Sequence, residues 1–120
     1  MKGFYICSNF NNFKKTIDNQ VENKVHIYFL YEHADSSNMS IKSTAIMKHF
    51  KDPNINFYLC KIDDNNDESK DMYSVYFQLL ELSGIHAIKN KKIIKSIYKY
   101  TLLSCDPYCL IQVLNDILYY

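Results

Sequence analysis

The sequence predicts an α/β fold: a central mixed sheet of four or five strands with helices on both faces, in the order β-α-β-α-β-α-β-β-α. Three observations predict it. The segments "KVHIYFLY" (24–31) and "INFYLCKID" (55–63) are apolar on both alternating faces, which marks strands buried in a sheet covered on both sides. Between the strand-like runs, apolar residues recur at steps of three and four, the spacing of amphipathic helices. A hairpin pattern and one more helix close the chain, so antiparallel strands join a parallel start with right-handed crossovers.

The elements follow in order. "GFYICS" (3–8) is a first strand, rich in aromatic and β-branched residues. Ser8 caps a helix running to about Asn23, whose stripe is Phe10, Phe13, Ile17 and Val21. In the second strand, Val25, Ile27, Phe29 and Tyr31 share one face, while Tyr28 and Leu30 fill the other. A helix over about 38–51 presents Met39, Ile46, Met47 and Phe50. Asp52-Pro53 stops it, because the residue before proline disfavours helix. After the strand at 55–63 and the polar loop "DDNNDES", a third helix is predicted over about 68–82, with Met72, Val75, Tyr76, Leu79 and Leu80 on one face. Gly84 reads as a break. "IHAIKNKKIIKSIYKYT" (85–101) is the hairpin, turned at Asn90, which tolerates positive φ. Asp106-Pro107 opens the last helix as cap and first helical residue, and Leu110, Ile111, Leu114, Ile117 and Leu118 form its buried face.

At 120 residues, one domain (1–120) is expected, large enough for a core without disulfide staples. A composition 48% hydrophobic and 22% charged argues against disorder. No apolar run approaches the roughly 18 residues that span a bilayer. The apolar stretch after Lys2 ends at Cys7, too short for a signal-peptide core, so an intracellular, cytoplasmic protein is expected. All 14 basic residues are Lys, and the net charge is only +1. Arg is the residue that clamps phosphate and reads guanine edges, so nucleic acid is not an expected partner. Cys7 and Cys60 lie in strand-like runs and read as buried small hydrophobes.

"ICSNFNNFKKTIDNQVENKVHIYFLYEH", "CKIDDN" and "IKNKKIIKSI" together resemble the thioredoxin family over almost the whole chain. They are similar to its opening strand, Phe-containing helix and central strand, to the segment that begins its second half, and to its Lys-Asn turn. The abundance of Lys, Asn, Tyr and Ile resembles proteins of AT-rich genomes such as those of malaria-type parasites. The resemblance aligns the end of "FLYEHADSS" with the family's Cys-Gly-Pro-Cys, which falls on Ala34-Asp35-Ser36-Ser37. Both sulfurs are absent there, and thiol–disulfide exchange needs a low-pKa thiolate and a resolving thiol. The family's buried acid falls on Tyr28, and its cis-proline falls near Ser83. The resemblance therefore implies a degenerate, redox-inactive member acting as a protein-binding or assembly module, with no catalytic residue, metal or cofactor. Its expected binding surface is His33, Asp35, Ser36, Ser83, Gly84 and Ile85. Asp35, Ser36 or Ser37 then serves as a helix cap.

A second reading makes the chain a thiol–disulfide oxidoreductase using Cys105 and Cys109, which flank the start of the last helix, where a thiol pKa is lowered. On a regular helix their Cβ atoms would be about 5–6 Å apart. A disulfide wants about 3.5–4.5 Å. The pair can bridge only if Cys105 lies outside the helix, before Asp106. A third reading is a subunit of a larger assembly. Glu32, His33, Asp35, Ser36 and Ser37 hold the residue types of a hydrolase triad, but near neighbours on one loop rarely converge on an oxyanion site, so they read as capping and solvation. "DDNNDE" (63–68) lacks the glycine and glutamate of a calcium loop. Lys89, Lys91, Lys92, Lys95 and Lys99 crowd the hairpin as gatekeepers of an edge strand, or as a surface for an acidic partner or anionic membrane.

Overall fold

A computed structural model describes residues 4–7, 10–19, 23–32, 36–50, 52–62, 83–90, 92–98, 101 and 104–118. The elements are β1 (Phe4–Cys7), α1 (Phe10–Asp18), β2 (Val25–Glu32), α2 (Ser36–His49), β3 (Ile55–Ile62), β4 (Gly84–Lys89), β5 (Lys92–Tyr98) and α3 (Pro107–Leu118). The helix expected over 68–82 lies outside the described residues.

The five strands form one sheet in the order β1-β3-β2-β4-β5. β1 and β2 both pair parallel with β3, and the hairpin β4–β5 adds antiparallel to β2. β2 and β3 are therefore interior strands, which is why they need apolar side chains on both faces. Residues 26–30 of β2 are all buried.

Each face has its own core. Ile27, Phe29, Ile55, Phe57, Ile85, Ala87 and Ile97 pack against Met39, Ile46 and Phe50 of the α2 region and Leu110 and Leu114 of α3. On the opposite face Cys7, Tyr28, Leu30, Tyr58, Cys60, Ile62 and Ile88 meet Phe13 and Ile17 of α1. The alternating side chains of one strand thus serve two cores. α2 begins at Ser36, two residues earlier than the apolar pattern indicated, and it buries Lys42 and Ser43 beside the expected Met39 and Ile46.

Local chemistry sets the turns. Asp52 Oδ1 accepts the Asn54 N–H at 2.8 Å, an Asx turn that launches β3 after Pro53. Asn23 and Asn90 both adopt positive φ, 68° and 52°. The Asn23 N–H donates to Asn90 Oδ1 at 3.2 Å, joining the turn before β2 to the hairpin turn. Gly84 is the first residue of β4 rather than a break. Its φ is +150°, and a Cβ there would collide with the Ile97 carbonyl oxygen of the adjoining strand. Ala87 pairs with Lys95 but Ile88 with Ile93, so Ile94 is the extra residue of a bulge on edge strand β5.

Candidate functional site

The strand-to-helix junction after β2 is the first place to look. Glu32 ends β2 and Ser36 opens α2. Of the expected surface residues, His33 and Asp35 lie outside the described residues, and Ser36 is the first residue of α2. The sequence has no cysteine between Cys7 and Cys60, so none occupies the aligned positions 34–37.

Pairing brings distant segments to the same end of the sheet. Leu30 pairs with Gly84, and Gly84 with Tyr98 at the end of β5. β5 is antiparallel to β4, which is antiparallel to β2, so β5 runs in the direction of β2. The chain therefore leaves β2 toward α2, and β5 toward α3, at one end. Ser83 sits here, 8% exposed, with Gly84 buried beside it. Ile85 corrects the expected surface: it is 1% exposed and belongs to the core shared with α2 and α3. β4 is paired on both sides, so the Ile85 backbone offers no free edge either.

Tyr28, at the aligned position of the buried acid, lies in a row that crosses every strand. The register runs Tyr5–Tyr58–Tyr28–His86–Ser96. Tyr28 and Tyr58 stack with centroids 4.3 Å apart at 8°, and Tyr5 stacks on Tyr58 at 5.1 Å. The Tyr28 hydroxyl is 2.9 Å from Thr16 Oγ1 on α1. Tyr58 shares a 2.7 Å hydrogen bond with His26 Nδ1, and His86 Nδ1 shares one of 2.8 Å with Ser96 Oγ. The His26–Tyr58 and His86–Ser96 bonds thus join buried polar atoms across strands, and Tyr28 finds its partner on α1. Burial pushes the Tyr58 phenol up to about 12, against hydrogen bonds from Asn56 and Tyr28 that favour its ionised form.

The cysteines form two pairs. Cys7 and Cys60 are register partners on β1 and β3, 1% and 0% exposed. The hydrogen bond from Cys60 lowers the Cys7 thiol pKa, whereas burial holds that of Cys60 well above its ordinary value. Both are buried as expected, but their adjacency was not foreseen: nothing in their spacing shows that β1 pairs with β3. The second pair is half-buried. Cys105 lies in a bend before the helix, and Cys109 is in the first turn of α3. The Cys109 thiol donates to the Cys105 sulfur across 3.2 Å. Asp106 caps the helix, its Oδ1 accepting the Cys109 N–H at 2.8 Å, as the Asp-Pro pattern predicted. The hydrogen bond to Cys105 raises the Cys109 thiol above its ordinary value, with burial, Cys105 and Asp106 adding in the same direction.

Among the described residues, no helix is long and apolar enough to cross a membrane, and no three His, Cys, Asp or Glu side chains gather as metal ligands. On the hairpin, Lys92 and Lys95 are exposed on edge strand β5 and Lys89 is half-buried; Lys91 and Lys99 lie outside the described residues.

The sheet order and helix placement are those of the thioredoxin fold, and solved structures agree. Thioredoxin O2 from Arabidopsis thaliana superposes with a TM-score of 0.68 at 10% identity, covering 98% of this chain and 96% of its own. Thioredoxin from Fasciola hepatica gives 0.64 at 16% identity, covering 94% and 98%. A structure described as a malarial protein gives 0.54 at 18% identity, covering 80% and 99%. At such identities the likeness is one of fold. No family model matches the sequence, and no curated protein does.

Proposed function

We propose that this chain is a thioredoxin-fold protein-binding module that performs no redox turnover at the strand-to-helix junction. The observation that supports this most directly is the junction itself. The sheet, the end formed by β2, β4 and β5, and the start of α2 are all kept, while the aligned thiol positions hold Ala34 and Ser37. A serine hydroxyl is neither a redox nucleophile nor a resolving group. What the platform still offers is a surface at one end of the sheet. His33, Asp35 and Ser36 are the candidate residues of the junction in the sequence, and the buried Ser83 and Gly84 support the surface from the start of β4. Exposed Ser37 stands on the same helix turn. The partner is another protein.

Two measurements test this reading. Purified protein should reduce insulin disulfides no faster than a no-protein control, and turnover abolished by Cys105→Ser with Cys109→Ser would instead make the chain an oxidoreductase. A photo-crosslinking residue at Ser37 should capture one discrete protein in an extract of the source cells, and one at exposed Lys14 on α1 should not. Equal capture at both positions would remove the junction as the binding surface.

A further inference from the structure

Cys105 and Cys109 satisfy the condition that four-residue spacing on a regular helix fails. The helix starts at Pro107, so Cys105 precedes it in a bend that hydrogen bonds back, its N–H donating to the Thr101 carbonyl at 3.0 Å. The two sulfurs are in contact at 3.2 Å, leaving little more than about 1 Å to an S–S bond of about 2.0 Å. Both side chains are half-buried, and Tyr108 between them is 71% exposed, so a small solute reaches this corner. Cys7 and Cys60, at 1% and 0% exposed, are beyond reach in the folded chain.

We propose that Cys105 and Cys109 form a reversible dithiol–disulfide site oxidised by small-molecule disulfides of the glutathione type, which fit this half-buried corner where a protein disulfide does not. The Cys105 thiolate attacks one sulfur of R–S–S–R′. A Cys105–S–S–R bond forms, the S–S bond of the reagent breaks, and R′–S⁻ leaves and takes a proton from water. Cys109 then gives its proton to solvent and attacks Cys105 Sγ. The Cys105–Cys109 bond forms and R–S⁻ leaves. Two protein thiols are oxidised, and one external disulfide is reduced to two thiols. Cys105 is assigned as the attacking thiol because the Cys109 S–H donates to its sulfur, which leaves Cys109 as the resolving thiol in contact with it. The site is one of modification and does not depend on the binding reading, so either can fail alone.

The test uses the full chain in glutathione buffers of rising disulfide-to-thiol ratio, quenched with acid and digested with trypsin. Lys99 is the last lysine and there is no arginine, so residues 100–120 leave as one peptide with these two cysteines and no others. Its mass should fall by two hydrogen atoms as the buffer becomes oxidising, and dithiothreitol should restore it. In Cys109→Ser a glutathione adduct should persist on Cys105, with about tenfold less on Cys109 in Cys105→Ser. A wild-type peptide that stays reduced throughout, or that gains glutathione without an internal bond, overturns the site, and neither result depends on a variant folding. Equal adducts in the two variants overturn the assignment of Cys105 as the attacking thiol.

Discussion

Two single residues show how narrowly the sheet is specified. Gly84 combines a φ of +150° with a carbonyl where its Cβ would stand. Gly84→Ala must strain the backbone or part β4 from β5, and should cost at least about 1–3 kcal/mol by urea denaturation. A change below that would mean the strands relax around a side chain. Tyr58 makes a prediction about pH. Burial first, then the neighbouring Tyr5 and Cys7, push its pKa up to about 12, while in the unfolded chain it titrates near its ordinary value of 10.0. Between these values the folded chain holds a proton that the unfolded chain gives up. The associated stability is complete below pH about 10 and falls as pH rises toward about 12. Tyr58→Phe has no such proton, so its stability should fall less steeply across that window. At pH about 7 the variant should be less stable than wild type, because His26 loses its 2.7 Å hydrogen bond. Parallel wild-type and variant slopes between those pH values would refute the account.

At the scale of the element, α3 depends on its first turn. Asp106 accepts the Cys109 N–H at 2.8 Å, and Pro107 supplies a first residue with no donor to satisfy. Asp106→Ala should cost about 0.5–2 kcal/mol, whereas Asp106→Asn should cost much less, since the amide oxygen still accepts. Equal losses would place the effect in the charge rather than the cap. This helix was legible because its start is written in a cap and a proline. β2 and β3 were legible because interior strands need apolar residues on both faces, and the hairpin because Asn90 tolerates positive φ. The start of α2 was read two residues late, since its first turn, Ser36, Ser37 and Asn38, carries no apolar signal. The expected binding surface suffered most. Ile85 follows the buried Ser83 and Gly84 into an interior strand, and only the pairing of β4 with both β2 and β5 reveals that. The tyrosine row and the Cys7–Cys60 adjacency were equally hidden, because β1 passes over its neighbour in sequence to pair with β3.

At the scale of the whole molecule, the cysteines divide by which part of the fold must open to expose them. Cys7 and Cys60 sit between the sheet and α1, in the same core as Phe13, Tyr28 and Leu30. Exposing them requires separating α1 from the sheet, and Phe13 and Tyr28 also meet edge to face with centroids 5.5 Å apart. Such opening lies near the global unfolding free energy. Cys105 and Cys109 need only local fraying at the start of α3, or none. Native protein treated with an excess of alkylating reagent should therefore modify the peptide of residues 100–120 quickly, and Cys7 and Cys60 together and slowly. In rising urea the slow phase should accelerate with the slope of global unfolding, while the fast phase should hardly change. Quantifying each cysteine peptide by mass spectrometry against time separates the two. If all four cysteines react at one rate, the burial that distinguishes the pairs is not maintained in solution. If Cys7 reacts without Cys60, β1 detaches on its own, and the sheet is stable only from β3 to β5.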